Sequence, residues 1–126
     1  MKPMNKKLTF LLALTFLFLF SSVVFGDDYQ DGVDAYKRKD YKTAYKLWLP
    51  LAEQGNAKAQ YNLGVMYAKG RGFPQDYILA HMWLNLSGAN GYKRGIKLRN
   101  LAEKKMTASQ IEKARELARN WKPTSK

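Results

Sequence analysis

His81 is the single histidine of this 126-residue chain, and there is no cysteine. A His–His or His–Cys zinc set therefore cannot form, and a lone histidine at helical spacing reads as a packed or solvated side chain. Ser87, Ser109 and Ser125 stand in neither a G-x-S-x-G elbow nor an S-x-x-K string, and no base neighbours them in sequence. Gly70 and Gly72 in K-G-R-G suggest a phosphate loop, but no G-x-x-x-x-G-K-[ST] pattern follows. Asp27, Asp28, Asp31 and Asp34 open like a calcium loop, yet the later ligands and the terminal glutamate are missing. Acids in that place suit a helix N-terminus instead. No catalytic residue, metal ligand or cofactor site is expected. A hydrolase acting on cell wall or lactam would need a nucleophile that the chain does not present.

The elements that carry these residues are helical. In Asn56–Gly91, Ala59, Leu63 and Tyr67 stand four apart with Gly64 beside them, which puts the apolar set on one helical face. Gly70, Arg71, Gly72, Phe73 and Pro74 cannot continue that helix. Asp76 is placed to cap a second helix, along which Tyr77, Ala80, Trp83, Leu84 and Ser87 continue at helical spacing to the stop at Gly91. This unit is echoed upstream. Tyr77, Ala80 and Gly91 have counterparts 36 residues earlier in Tyr41, Ala44 and Gly55, with Trp48 and Trp83 nearly superposed. The first-helix tyrosines Tyr36 and Tyr67 are only 31 apart, which places the difference in the turn between the helices.

The string A-x-A-Q-x-x-L-G-x-M-Y-x-x-G-x-G, followed by Asp76–Tyr77 and by Ala80 and Trp83, resembles the Sel-one-like repeat of the tetratricopeptide superfamily. The resemblance covers Ala35 to Gly91 as a short first repeat and a full second one. It implies that Ala59, Leu63, Gly64, Tyr67, Gly70, Gly72, Ala80 and Trp83 are packing and turn positions. It also implies a bacterial envelope setting and an adaptor or scaffold role. The expected fold is all-α: a short right-handed solenoid of antiparallel helix pairs closed by a C-terminal capping helix.

The N-terminus is a different kind of sequence. Lys2, Lys6 and Lys7 precede the apolar run Leu8–Phe20, and small residues then appear at Ser21, Ser22 and Gly26. That is signal-peptide anatomy, with cleavage expected after Gly26 and a periplasmic or secreted chain of residues 27–126. The rival reading is an uncleaved anchor, since Leu8–Phe25 approaches the roughly 20 apolar residues that span a bilayer. The exported domain would hold repeats at about 27–55 and 56–91 and capping helices at 92–121. Without disulfides it must rely on apolar packing, and two repeats need a further helical cover.

The remaining helices are read by the same means. Residues 27–39 form a first helix with Val33 and Tyr36 on one side. Tyr41–Gln54 forms a second, with Pro50 inside it, so a kink or break is expected near Lys46–Leu49. Tyr92–Lys105 is expected to be amphipathic, with Ile96, Leu98, Leu101, Ala102 and Met106 as a broad apolar stripe. Thr107 and Gln110 form a capping box for a last helix, whose face Ile111, Ala114, Leu117, Ala118 and Trp121 would close the stack.

Two surfaces stand out as candidate sites. Most aromatics lie on packing stripes, but Tyr61 falls on the opposite face of its helix with Lys58, Val65 and Lys69. Gln30, Asp34 and Lys37 are the equivalent positions one repeat earlier. Lys37, Lys58, Tyr61, Val65 and Lys69 are therefore the candidate partner-binding groove, expected to be a small mixed-charge surface for a protein partner. Charge marks the second surface. The chain carries +12, and loss of Lys2, Lys6 and Lys7 with the signal leaves +9, of which +8 lies from Lys93 onward. Lys93, Arg94, Lys97, Arg99, Lys104 and Lys105 are thus candidates for docking anionic lipid or cell-wall polymer, export arguing against nucleic acid. The chain is expected to be a monomer.

Overall fold

The structure, a computed structural model, describes residues 28–124. The expected signal segment 1–26 lies outside the described residues. Six helices follow in order: α1 (residues 28–37), α2 (Tyr41–Glu53), α3 (Ala57–Lys69), α4 (Tyr77–Ala89), α5 (Lys93–Glu103) and α6 (Ala108–Asn120). The described residues contain no strand. The helices pair as α1/α2 and α3/α4 into a helical-repeat solenoid, with α5 and α6 packed on the far side of α4. Among the described residues the buried apolar side chains run from Ala35 to Ala118.

The helix boundaries follow from side chains that satisfy orphan backbone groups. The carboxylates of Asp40 and Asp76 accept the backbone N–H groups of Thr43 and Leu79, and Asn56 does the same for Ala59. Thr107 and Gln110 form the reciprocal capping box that starts α6. At the other ends, Gly70 takes a left-handed conformation (φ 65°), and Lys39 holds the same conformation (φ 66°) one repeat earlier. The two turns share their hydrogen bonds as well: Asp40 N–H reaches Ala35 O, and Arg71 N–H reaches Met66 O.

After Gly70 the second repeat has the extra residues Arg71–Gln75, which account for the difference between the 31- and 36-residue spacings. This loop folds back onto the first repeat. The Phe73 ring packs 4.2 Å from Tyr67 and 5.0 Å from Tyr45, and Arg71 lies over the Tyr36 ring while donating to the Tyr36 hydroxyl.

Close helix crossings are made by glycines. A Cβ on Gly64 would lie 2.6 Å from Leu84 Cγ, and one on Gly32 would run into the Trp48 indole. Trp48 therefore meets α1 as Leu84 meets α3, and at a spacing of 36 it corresponds to Leu84 rather than Trp83. Trp83 faces α6 instead, its ring edge-on to Trp121 with centroids 6.5 Å apart.

α4 is buried nearly all round, from Ala80 to Ser87, because α3, α5 and α6 each take one side of it. Its buried polar groups are tied to helix ends. Ser87 donates to Ala57 O at 2.7 Å, while Gln60 of α3 donates to Ala52 O at 3.0 Å and accepts from Asn90.

Two expectations are corrected. The break, one of the two outcomes expected near Pro50, does not occur, since α2 continues through it. Pro50 and Lys46 are both exposed, so the Lys46 carbonyl that loses its N–H partner faces water rather than the core. The apolar stripe of α5 is also not buried as a whole. Only Gly95 and Ala102 are buried, whereas Ile96 is 39% and Leu101 55% exposed. The reason is the α4–α5 crossing: a Cβ on Gly95 would lie 2.7 Å from Leu84 O, so the backbones approach there and Leu101 is turned outward.

Candidate functional site

Where α1 and α3 lie side by side, a cavity of about 410 Å³ opens, lined by Tyr29, Val33, Tyr36, Lys37, Trp48, Tyr61, Asn62 and Val65. The spacing of its residues follows from helix geometry. Tyr29, Val33 and Tyr36–Lys37 recur at three or four residues along α1, and Tyr61–Asn62 and Val65 do so along α3. The floor is aromatic. Trp48 is 6.1 Å from Tyr29 and 5.7 Å from Tyr36 between ring centroids, and its indole N–H donates to Tyr29 O at 3.1 Å. Asn62 bridges the two walls by donating to the Tyr29 hydroxyl at 3.1 Å. At one end Tyr61 meets Tyr92 edge-on at 5.1 Å, which carries the aromatic row to the start of α5.

Of the five candidate groove residues, the structure brings together Lys37, Tyr61 and Val65. Lys58 and Lys69 lie exposed on α3 outside the cavity lining. Gln30 and Asp34 bond to each other at 3.1 Å on the exposed side of α1. The expected mixed-charge surface is thus corrected to an apolar, aromatic cleft with Lys37 as its charged wall residue. The cause is geometric. Neighbouring first helices meet through opposite flanks, so the positions equivalent to Tyr61 and Val65 on α1 look away from α3. Tyr29, Val33 and Tyr36, assigned to packing or passed over in sequence, are exposed on one side and packed on the other, above a buried Trp48. Their alternation with Lys37 on α1 was the only sequence signal for this.

This arrangement can hold an apolar or aromatic side chain, with Lys37 and Asn62 at hand for a carboxylate or a backbone carbonyl. The one strongly shifted group nearby is Tyr67, beneath the Phe73 loop. Burial, together with the Tyr45 hydroxyl 3.3 Å away, raises its pKa well above the ordinary tyrosine value. It is a packing residue.

His81 is fully buried in α4 and donates from Nε2 to Glu103 Oε1 at 2.8 Å. Its Nδ1 is buried without a hydrogen-bond partner among the described residues. Glu103 also receives Arg115 at 3.5 Å. The hydrogen bond from His81 above all, with Arg115 and Arg99 nearby, holds the Glu103 carboxyl below its ordinary range. The trio ties α4, α5 and α6 together.

On α5 and in the turn that follows it, Lys93, Arg94, Lys97, Lys104 and Lys105 are exposed, and no carboxylate pairs with them among the described residues. Arg99 is a correction to that set. It is half-buried and turned toward α4, where it donates to Asn85 and to Asn100. No helix of the described residues is long and apolar enough to cross a membrane.

Stacked helix pairs with glycine-mediated crossings, a side-chain cap on each second helix and a terminal covering helix define a helical-repeat protein of the interaction-module class. The Sel1 repeat family model matches residues 26–56 and 57–92. The chain belongs to the Sel1 repeat family. Searches of curated proteins and of solved structures return no match.

Proposed function

We propose that this protein is a non-catalytic, exported adaptor that holds a protein partner in the cleft between α1 and α3. The observation that carries the reading is the aromatic cavity of about 410 Å³, open to solvent beside Tyr61 and walled by rigid side chains that two repeats share. An aromatic cleft with few polar groups suits the apolar anchor of a peptide or domain. It contains no nucleophile–base pair. The N-terminal pattern of lysines, an apolar run and small residues supports export, and the intact mass of the cell-derived protein tests it. A chain starting at Asp27 means cleavage, and a full-length chain in the membrane fraction means an anchor.

The groove is tested by placing a photoreactive residue at Val65 in the full chain, expressed in cells. A discrete protein adduct is expected, lost on Tyr61→Ala and absent when the same residue is placed at Gln110 of α6. Adducts that form equally from Gln110, or that persist in Tyr61→Ala, overturn the adaptor reading.

A further inference from the structure

The outward face of α5 has no place in that reading, and its composition is unusual. Lys97 and Leu98 follow Arg94 by three and four residues, and Leu101 follows that pair by four and three, so the four share one stripe of α5, with Lys105 in the turn just beyond its end. Leu101 is 55% exposed. Leu98, Leu101 and Lys105 border a shallow depression of about 190 Å³. Among the described residues none of these cations has a carboxylate partner. The start of α5 compounds this, because Lys93 and Arg94 stand in a first turn that has no acid and no side-chain cap. Cations at that end oppose the helix dipole, and among the described residues no first-turn acid or side-chain cap offsets it.

We propose that this stripe docks the protein on an anionic phospholipid surface. The leucines supply the reason for choosing lipid over other polyanions. Nucleic acid or an anionic wall polymer would engage the cations and leave Leu101 in water. A bilayer surface accepts both, with Leu101 and Leu98 at the acyl boundary and the long stems of Arg94, Lys97 and Lys105 reaching the phosphates around them. The stripe borders only a shallow depression, so it offers a surface rather than a peptide-sized cleft. The site is independent of that cleft, so either can fail without the other.

The test uses residues 27–126, which contain every described helix, so that the apolar N-terminal run cannot insert. Vesicles of phosphatidylcholine are compared with vesicles carrying about 30% phosphatidylglycerol. Binding to the anionic vesicles is expected to be at least about tenfold tighter, to fall about tenfold in Lys97→Gln/Lys105→Gln, and to fall several-fold in Leu101→Ser. The exposure of all three positions leaves the fold intact, which circular dichroism checks. Because the chain has no cysteine, Leu101→Cys accepts a single environment-sensitive fluorophore. Its emission should shift to the blue on anionic vesicles, and the same label at Ser109→Cys on α6 should not shift. The proposal is overturned if vesicles do not bind. It is equally overturned if Leu101→Ser binds like the parent, or if poly-glutamate or a wall polymer competes at equal charge and the label stays in water.

Discussion

His81 Nε2 and Glu103 Oε1 stand 2.8 Å apart and join the buried centre of α4 to the last residue of α5. The contact has a direction in pH. The folded-state pKa of Glu103 lies below its ordinary value of 4.5, so the stabilisation is fully present above about pH 4.5 and is lost as pH falls through the folded value. Thermal unfolding of the parent should therefore drop more steeply below pH 4.5 than that of Glu103→Gln, and the two curves should run parallel above it. Equal slopes in acid would remove Glu103 from the account.

Gly64 admits Leu84 into the α3–α4 crossing, where an added Cβ would meet the leucine at 2.6 Å. Gly64→Ala should cost about 2 kcal/mol through overpacking, seen as a lower denaturation midpoint at unchanged denaturant slope. Gly55→Ala is the comparison, because no atom lies within 4 Å of its Cβ position and only its positive φ (99°) opposes the change.

Lys39 holds a left-handed backbone (φ 66°) at the position that Gly70 fills in the next repeat. A non-glycine residue there costs about 1–2 kcal/mol, partly offset by its lower entropy in the unfolded chain. Lys39→Gly should raise stability by about 0.5–1 kcal/mol, and Gly70→Ala should lower it by about 1 kcal/mol or more. Differential scanning calorimetry of the pair should show shifts of opposite sign.

Trp121 closes the stack by meeting Trp83 edge-on. It is only partly buried, so Trp121→Ala should cost about 2 kcal/mol rather than the full penalty of a core tryptophan. Removing α6 altogether would bare Trp83 and Leu86, and such a chain should aggregate on concentration, which light scattering would show.

Much of the architecture was legible because local chemistry and global packing agree. Asp76, the Thr107–Gln110 box and the stops at Gly55 and Gly91 act within a few residues of the chain, and the structure places each where its spacing requires. The failures arose where a distant surface decides. Nothing near Pro50 in sequence shows that its face of α2 is exposed. Leu101 belongs to an apolar stripe by spacing, but the Gly88–Gly95 approach of α4 and α5 settles which part of that stripe is covered. Likewise, α1 and α3 share a sequence pattern yet line their common cleft with opposite flanks. Repeat equivalence therefore located Tyr61, Val65 and Lys37 while pointing away from Tyr29, Tyr36 and Trp48.

Counting 36 residues from Tyr45 leads to His81. In the first repeat, Tyr45 receives Phe73, the ring that the following repeat sends back across the boundary. In the second, His81 is already engaged by Glu103 from α5. The same seat thus holds a contact between repeats in one case and a contact with the next helix in the other. A copy of residues 56–91 placed after α4 would bring its phenylalanine to a histidine rather than to a tyrosine.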